Sequence, residues 1–116
     1  MEWNQLTTEE VIQKIIELSE TKPVLIFKYS GRCAICDKVQ DVLESDWSEN
    51  EPANEEKIAP YFLDLIKYRN VSNAVARTFN VMHESPQVLV IKNGKVTYAE
   101  SHGYIRFEEV LNSIKV

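Results

Sequence analysis

The sequence predicts an α/β chain in which a mixed central sheet is flanked by helices on both faces, and three observations carry that prediction. An apolar run, Val24-Leu25-Ile26-Phe27, gives way after Ser30-Gly31 to apolar residues at helical spacing: Ile35, Cys36, Val39, Val42 and Leu43. Strand-like and helix-like stretches then alternate, joined by short connections except for the acidic segment from Asp46 to Lys57. Finally, Asn93-Gly94 separates two strand-like runs. This is the strongest short-range hairpin signal, because both residues tolerate the positive φ of a type I′ turn. A strand-helix-strand unit followed by a helix, a hairpin and a last helix places parallel and antiparallel neighbours in one sheet and covers both its faces.

Size and composition narrow the options further. At 116 residues the chain is long enough for one domain with its own core and too short for two, so residues 1–116 are expected to form a single domain. A hydrophobic content of 44% with 27% charged residues is ordinary for a globular chain and suggests neither disorder nor a membrane span. The formal net charge of -5 argues against non-specific binding to nucleic acid or to anionic membranes, so neither is an expected partner. Met1-Glu2-Trp3-Asn4-Gln5 lacks the basic region and apolar core of a signal peptide, and a cytoplasmic location is the expectation.

Trp3 to Leu6 reads equally as a short strand or a packed arm. Thr7 and Glu10 make a capping-box pattern, and Val11, Ile12, Ile15, Ile16 and Leu18 continue as an amphipathic helix until Thr21-Lys22-Pro23 stops it. Asp46 to Lys57, with Glu49, Glu51, Glu55 and Glu56 around Pro52, reads as an acidic, solvated loop with Trp47 its one large apolar residue. Tyr61, Phe62, Leu63 and Leu65 form a second strand. Val71 to Phe79 forms a short helix that Asn80 can end in a left-handed conformation. Glu84-Ser85-Pro86 leads into the hairpin strands Gln87 to Lys92 and Lys95 to Ala99. Gly103 breaks the chain after them, and Phe107, Val110, Leu111 and Ile114 close it with a helix.

The chemistry lies in Cys33-Ala34-Ile35-Cys36, which holds both cysteines of the chain. In a reducing compartment a structural disulfide at this spacing is disfavoured, which leaves redox chemistry or metal binding. The first cysteine falls at a helix N-terminus, where unpaired backbone N–H groups stabilise a thiolate, and Arg32 adds a positive charge beside it. Cys33 is therefore expected to be the exposed, acidic nucleophile. Cys36, one turn further in on the same face, is expected to be more deeply buried and able to attack a mixed disulfide formed at Cys33. The competing reading is a pair of inert, packed thiols. Zinc would need four ligands, and His83 and His102 stand at no finger spacing, so no metal is expected.

These residues resemble a thioredoxin-fold protein, with Cys33 and Cys36 at the active site, Pro86 at the place of the family's cis-proline, Lys92 to Val96 as its hairpin and Gly103 as its glycine before the last helix. More narrowly, Phe27-Lys28-Tyr29-Ser30 with Arg32-Cys33, the run from Leu63 to Ala74, and His83-Glu84-Ser85-Pro86-Gln87-Val88 are similar to the YtxJ-type monothiol bacilliredoxins. That resemblance implies removal of bacillithiol, or a similar low-molecular-weight thiol, from proteins carrying mixed disulfides. The small thiol would act as co-substrate, with no bound cofactor. It implies a cis bond before Pro86 that turns the Ser85 backbone toward Cys33 as a substrate contact. Arg32 is the candidate for a carboxylate of the small thiol, and His83 is kept as a substrate-binding candidate by its nearness to Ser85-Pro86; Lys28 and Arg69 join them only if the fold brings them there. Two departures stand out. Cys36 replaces the serine or other residue of many members, and Phe27 stands where thioredoxins bury an acid six residues before the first cysteine. A general dithiol disulfide reductase, and a protein-binding adaptor with incidental cysteines that uses Trp47 and the acidic segment as its contact surface, are the alternatives.

Overall fold

The structure is a computed structural model that describes residues 1–115. Five strands lie in the order β1-β3-β2-β4-β5: β1 (Asn4–Gln5), β2 (Val24–Tyr29), β3 (Ala59–Asp64), β4 (Gln87–Lys92) and β5 (Lys95–Ser101). β3 runs parallel to both β1 and β2, whereas β4 is antiparallel to β2 and β5 is antiparallel to β4. The sheet is thus mixed, as expected, and β2 is its central strand. Burial explains why: the first five residues of β2 are all buried, the pattern of a strand covered on both faces.

Alternation along β2 sorts the core into two layers. Val24 and Ile26 pack under α1 (Glu9–Leu18) and α4 (Arg69–Phe79), with Ile12, Ile15, Val71, Ala74, Val75 and Phe79. Leu25 and Phe27 pack under α2 (Ala34–Ser48) and α5 (Phe107–Ser113), with Val39, Leu43, Trp47, Phe107 and Val110. Asn80 ends α4 with a left-handed φ of 53°, and the hairpin turns at Asn93 and Gly94 with φ of 53° and 75°. Both features are the ones the sequence predicts.

Three expectations need correction. The segment 46–57 is not a loop: α2 runs on to Ser48, and α3 (Glu51–Lys57) follows almost at once. The reason is the stripe Val39, Leu43, Trp47, which keeps α2 on the sheet past the first acids, and Pro52, which sits in the first turn of α3, where its missing N–H costs nothing. Trp47 is only 1% exposed and packs on Phe107, so it offers no contact surface. The Thr7–Glu10 capping box is not formed either: Thr8 precedes α1, and its side chain makes no capping hydrogen bond. Gly103 does break the chain after β5, as expected: it lies in the short 3₁₀ turn His102–Tyr104, which His102 enters with a left-handed φ of 58°.

Candidate active site

The end of β2 and the start of α2 bring the two cysteines to the carboxyl edge of the sheet. Cys33 precedes α2 in extended conformation and makes no capping bond with its side chain, which leaves the sulfur partly exposed. Its backbone N–H donates to the Ser30 carbonyl at 3.1 Å, and its carbonyl accepts from the Cys36 N–H at 3.1 Å, so the turn is fixed by main-chain bonds. Cys36 lies one turn inside and is fully buried. The order expected from the sequence, an accessible first sulfur and a covered second one, is what the fold produces.

The Cys36 sulfur is surrounded by donors. Ser30 donates its backbone N–H at 3.5 Å, and the Ser85 hydroxyl lies 3.4 Å away. Burial pushes the Cys36 thiol above its ordinary range, the two donors pull it back, and the neighbouring Cys33, within hydrogen-bonding reach, raises it again. Ser85 was a candidate for its backbone, and its side chain is the part that touches sulfur. The Ser85–Pro86 peptide is cis, and Pro86 is buried. The Pro86 carbonyl accepts the His102 N–H at 2.9 Å, and the His102 ring pairs with Glu84 at 3.0 Å, so two loops that border the site are tied together.

Arg32 is exposed beside Cys33, and its backbone N–H donates to Ser30 Oγ at 3.3 Å. Among the described residues its guanidinium has no ion-pair or hydrogen-bond partner, the condition a carboxylate-binding arginine requires. The Nδ1 of His83 faces Lys28 Nζ at 3.4 Å and Ser72 Oγ at 3.3 Å, on the α4 side. Burial first, then Lys28 and Arg69, lower its pKa. His83 is therefore a half-buried group whose Nδ1 is taken up by Lys28 and Ser72.

Sequence reasoning also missed three groups. Ser30 read only as a loop residue, although it donates to one cysteine and accepts from the other. Tyr29 donates its hydroxyl to Asp37 Oδ1 at 2.6 Å, a bond that pushes the phenol up to about 12. Beside the cysteines, Ile35, Val39, Val42, Gly103 and Ile105, with Lys38 and Arg106, line a groove of about 400 Å³ between α2 and the 3₁₀ turn. Its apolar members showed in the helical spacing, but its opposite wall comes from some sixty residues downstream.

A CxxC turn between a central strand and a helix, beside a cis-proline loop, defines a thioredoxin-fold thiol oxidoreductase. Solved structures agree. The chain is similar to a thioredoxin-fold protein described as a candidate oxidoreductase, at 25% identity and a TM-score of 0.80 over 96% of this chain and 92% of that one. It has the fold of Malassezia sympodialis thioredoxin (15% identity, TM-score 0.72, 97% and 88% covered) and of Fasciola hepatica thioredoxin (18% identity, TM-score 0.71, 97% and 99% covered). The chain belongs to the monothiol bacilliredoxin family BrxC, whose profile matches residues 4–110.

Proposed function

We propose that the chain removes bacillithiol, or a similar low-molecular-weight thiol, from protein cysteines. The observation that carries this reading is the pairing, at one helix start, of an accessible sulfur on Cys33 with the exposed Arg32 guanidinium beside it. The Cys33 thiolate attacks the small-thiol sulfur of the protein's mixed disulfide, the protein leaves as its thiolate, and the small thiol stays on Cys33 as a new disulfide. Arg32 suits a carboxylate of that thiol, since its planar fork can hold one through paired hydrogen bonds. The groove along α2 supports docking of the substrate protein beside Cys33. Cytoplasmic thiol chemistry, with mixed-disulfide proteins and a small thiol as partners, fits a site with free cysteines.

Two routes then clear Cys33. A second small thiol can attack it, as the monothiol family name implies. Alternatively, Cys36 attacks the Cys33 sulfur, its proton leaves with the small thiol, and a Cys33–Cys36 disulfide forms for a dithiol reductant to reopen. The burial of Cys36 against Cys33 favours the second route, and it also supports a second reading as a general dithiol disulfide reductase.

The test sets a bacillithiolated and a glutathionylated protein side by side as substrates. Cys33→Ser is expected to abolish transfer, whereas Cys36→Ser retains a slower monothiol activity. Equal loss in both variants favours the general reductase. Arg32→Ala is expected to slow removal of bacillithiol by about fivefold more than reduction of a plain small disulfide, the scale of one exposed charged contact. An equal slowdown of both would make Arg32 a tuner of the thiolate. If the parent protein removes the small thiol from neither substrate, the redox reading fails and the adaptor remains; activity kept in Cys33→Ser would instead move the nucleophile to Cys36.

A further inference from the structure

Lys28 is the residue that neither fold nor chemistry has yet explained. It sits on the central strand with no exposed surface, yet no carboxylate pairs with it among the described residues. A buried charge without a counter-ion is costly and calls for a reason. Its Nζ instead donates to the Ser72 carbonyl at 3.3 Å and lies 3.4 Å from His83 Nδ1. Ser72 Oγ approaches the same ring nitrogen at 3.3 Å. Since an ammonium can only donate, Nδ1 is the acceptor in this contact and the ring proton belongs on Nε2.

His83 stands two residues before Ser85, whose hydroxyl touches the Cys36 sulfur. Gln87, the cross-strand neighbour of Lys28, donates Nε2 to the Met82 carbonyl at 3.0 Å and fixes the start of the same loop. The loop from Met82 to Pro86 is thus gripped at Met82 and at His83, and its free stretch ends on sulfur. We propose that Lys28 and His83 are positioning residues for the Cys36 thiol: the buried Lys28 amino group, a donor with or without its extra proton, holds His83 Nδ1 and pins this loop so that Ser85 Oγ stays on the Cys36 sulfur. The other charged groups acting on His83 are Arg69 from α4 and Glu84 from the loop itself. Both lie nearer the surface, so the grip itself depends on Lys28.

The inference rests on the reading of Cys36 as a resolving thiol for its consequence in turnover, but not for its test. In a Cys33→Ser background, titrating the Cys36 thiolate by its ultraviolet absorbance needs no substrate. Ser85→Ala should lower the thiolate fraction at a fixed alkaline pH by about three- to tenfold, the worth of one ordinary hydrogen bond. Lys28→Met and His83→Leu should do the same, and His83→Asn, with an acceptor oxygen near the place of Nδ1, should restore it. Combining Lys28→Met with Ser85→Ala should add nothing beyond either alone, as groups acting through one bond require.

Additive effects would overturn the proposal, and so would an unchanged titration in His83→Leu, which keeps the Lys28 amino group and removes only its grip. His83→Leu also keeps the test decisive if Lys28→Met fails to fold. In the otherwise intact protein, Lys28→Met should slow release of the small thiol by the same factor and leave the first transfer to Cys33 unchanged. If Cys36→Ser releases the small thiol as fast as the parent, Cys36 does not resolve; the titration still decides whether Lys28 positions Ser85.

Discussion

Phe27 and Lys28 are neighbours on the central strand, and they finish the two faces of the sheet in opposite ways. Phe27 closes the α2 face in an aromatic cluster, with ring centroids of Trp3, Phe62 and Tyr29 at 5.7, 5.8 and 6.3 Å. Lys28 closes the α4 face with an ammonium among polar partners. The strand therefore places no acid below the cysteines, at the position where thioredoxins bury one, and its one buried charge points the other way. Polar control of Cys36 comes instead from Ser30 and from the Ser85 loop, and that loop is anchored on the far face. One face of this end of the sheet is built for stability, the other for placement.

The largest effect expected from this contrast is on stability. Phe27→Ala should cost about 3–5 kcal/mol, since a fully buried ring is lost from a packed cluster, and urea unfolding at neutral pH measures it. Lys28→Met should be neutral or stabilising at the same pH, because replacing a buried ion with an apolar chain of similar length removes a desolvation cost. A loss as large as that of Phe27→Ala would show that the ammonium holds the fold and not only the loop.

pH sharpens the same comparison. Burial lowers Lys28 from 10.5 to about 8, so between those values the unfolded chain carries the extra proton. The destabilising contribution of Lys28 is fully present below about pH 8 and fades as pH rises toward 10.5. The parent protein should therefore gain on Lys28→Met by a few kcal/mol across that window, a scale set by about 1.4 kcal/mol per pKa unit. A flat difference would place Lys28 nearer solvent than its burial implies. The smallest effect belongs to Tyr29→Phe. It removes the hydroxyl bonded to Asp37 and keeps the ring, and should cost no more than about 1 kcal/mol.

Local chemistry made much of this legible in the sequence. Asn93-Gly94, Asn80, the change of period at Cys33 and the apolar runs each act over a few residues, and each produced the element it announced. The segment 46–57 misled because acid density and Pro52 outweighed the continuing stripe Val39, Leu43, Trp47; a proline in the first turn starts a helix as readily as it ends one. The Lys28 cluster was out of reach for another reason. It joins residues 44 and 55 positions apart, across a parallel crossover that no spacing rule encodes. His83 stands out in the sequence for its place near Pro86, but only the fold shows that its Nδ1 meets Lys28 and Ser72.

The central claim is that Cys33 takes the small thiol while the covered Cys36 acts afterwards, and one measurement tests it directly. Cys36→Ser protein is mixed with a bacillithiolated protein substrate for a single turnover, quenched with acid and weighed intact by mass spectrometry. The account predicts a product heavier by one bacillithiol, attached at Cys33, together with free substrate protein. A covalent complex of Cys33 with the substrate protein itself, with bacillithiol released, would contradict it and make the molecule a reductase that attacks the protein sulfur.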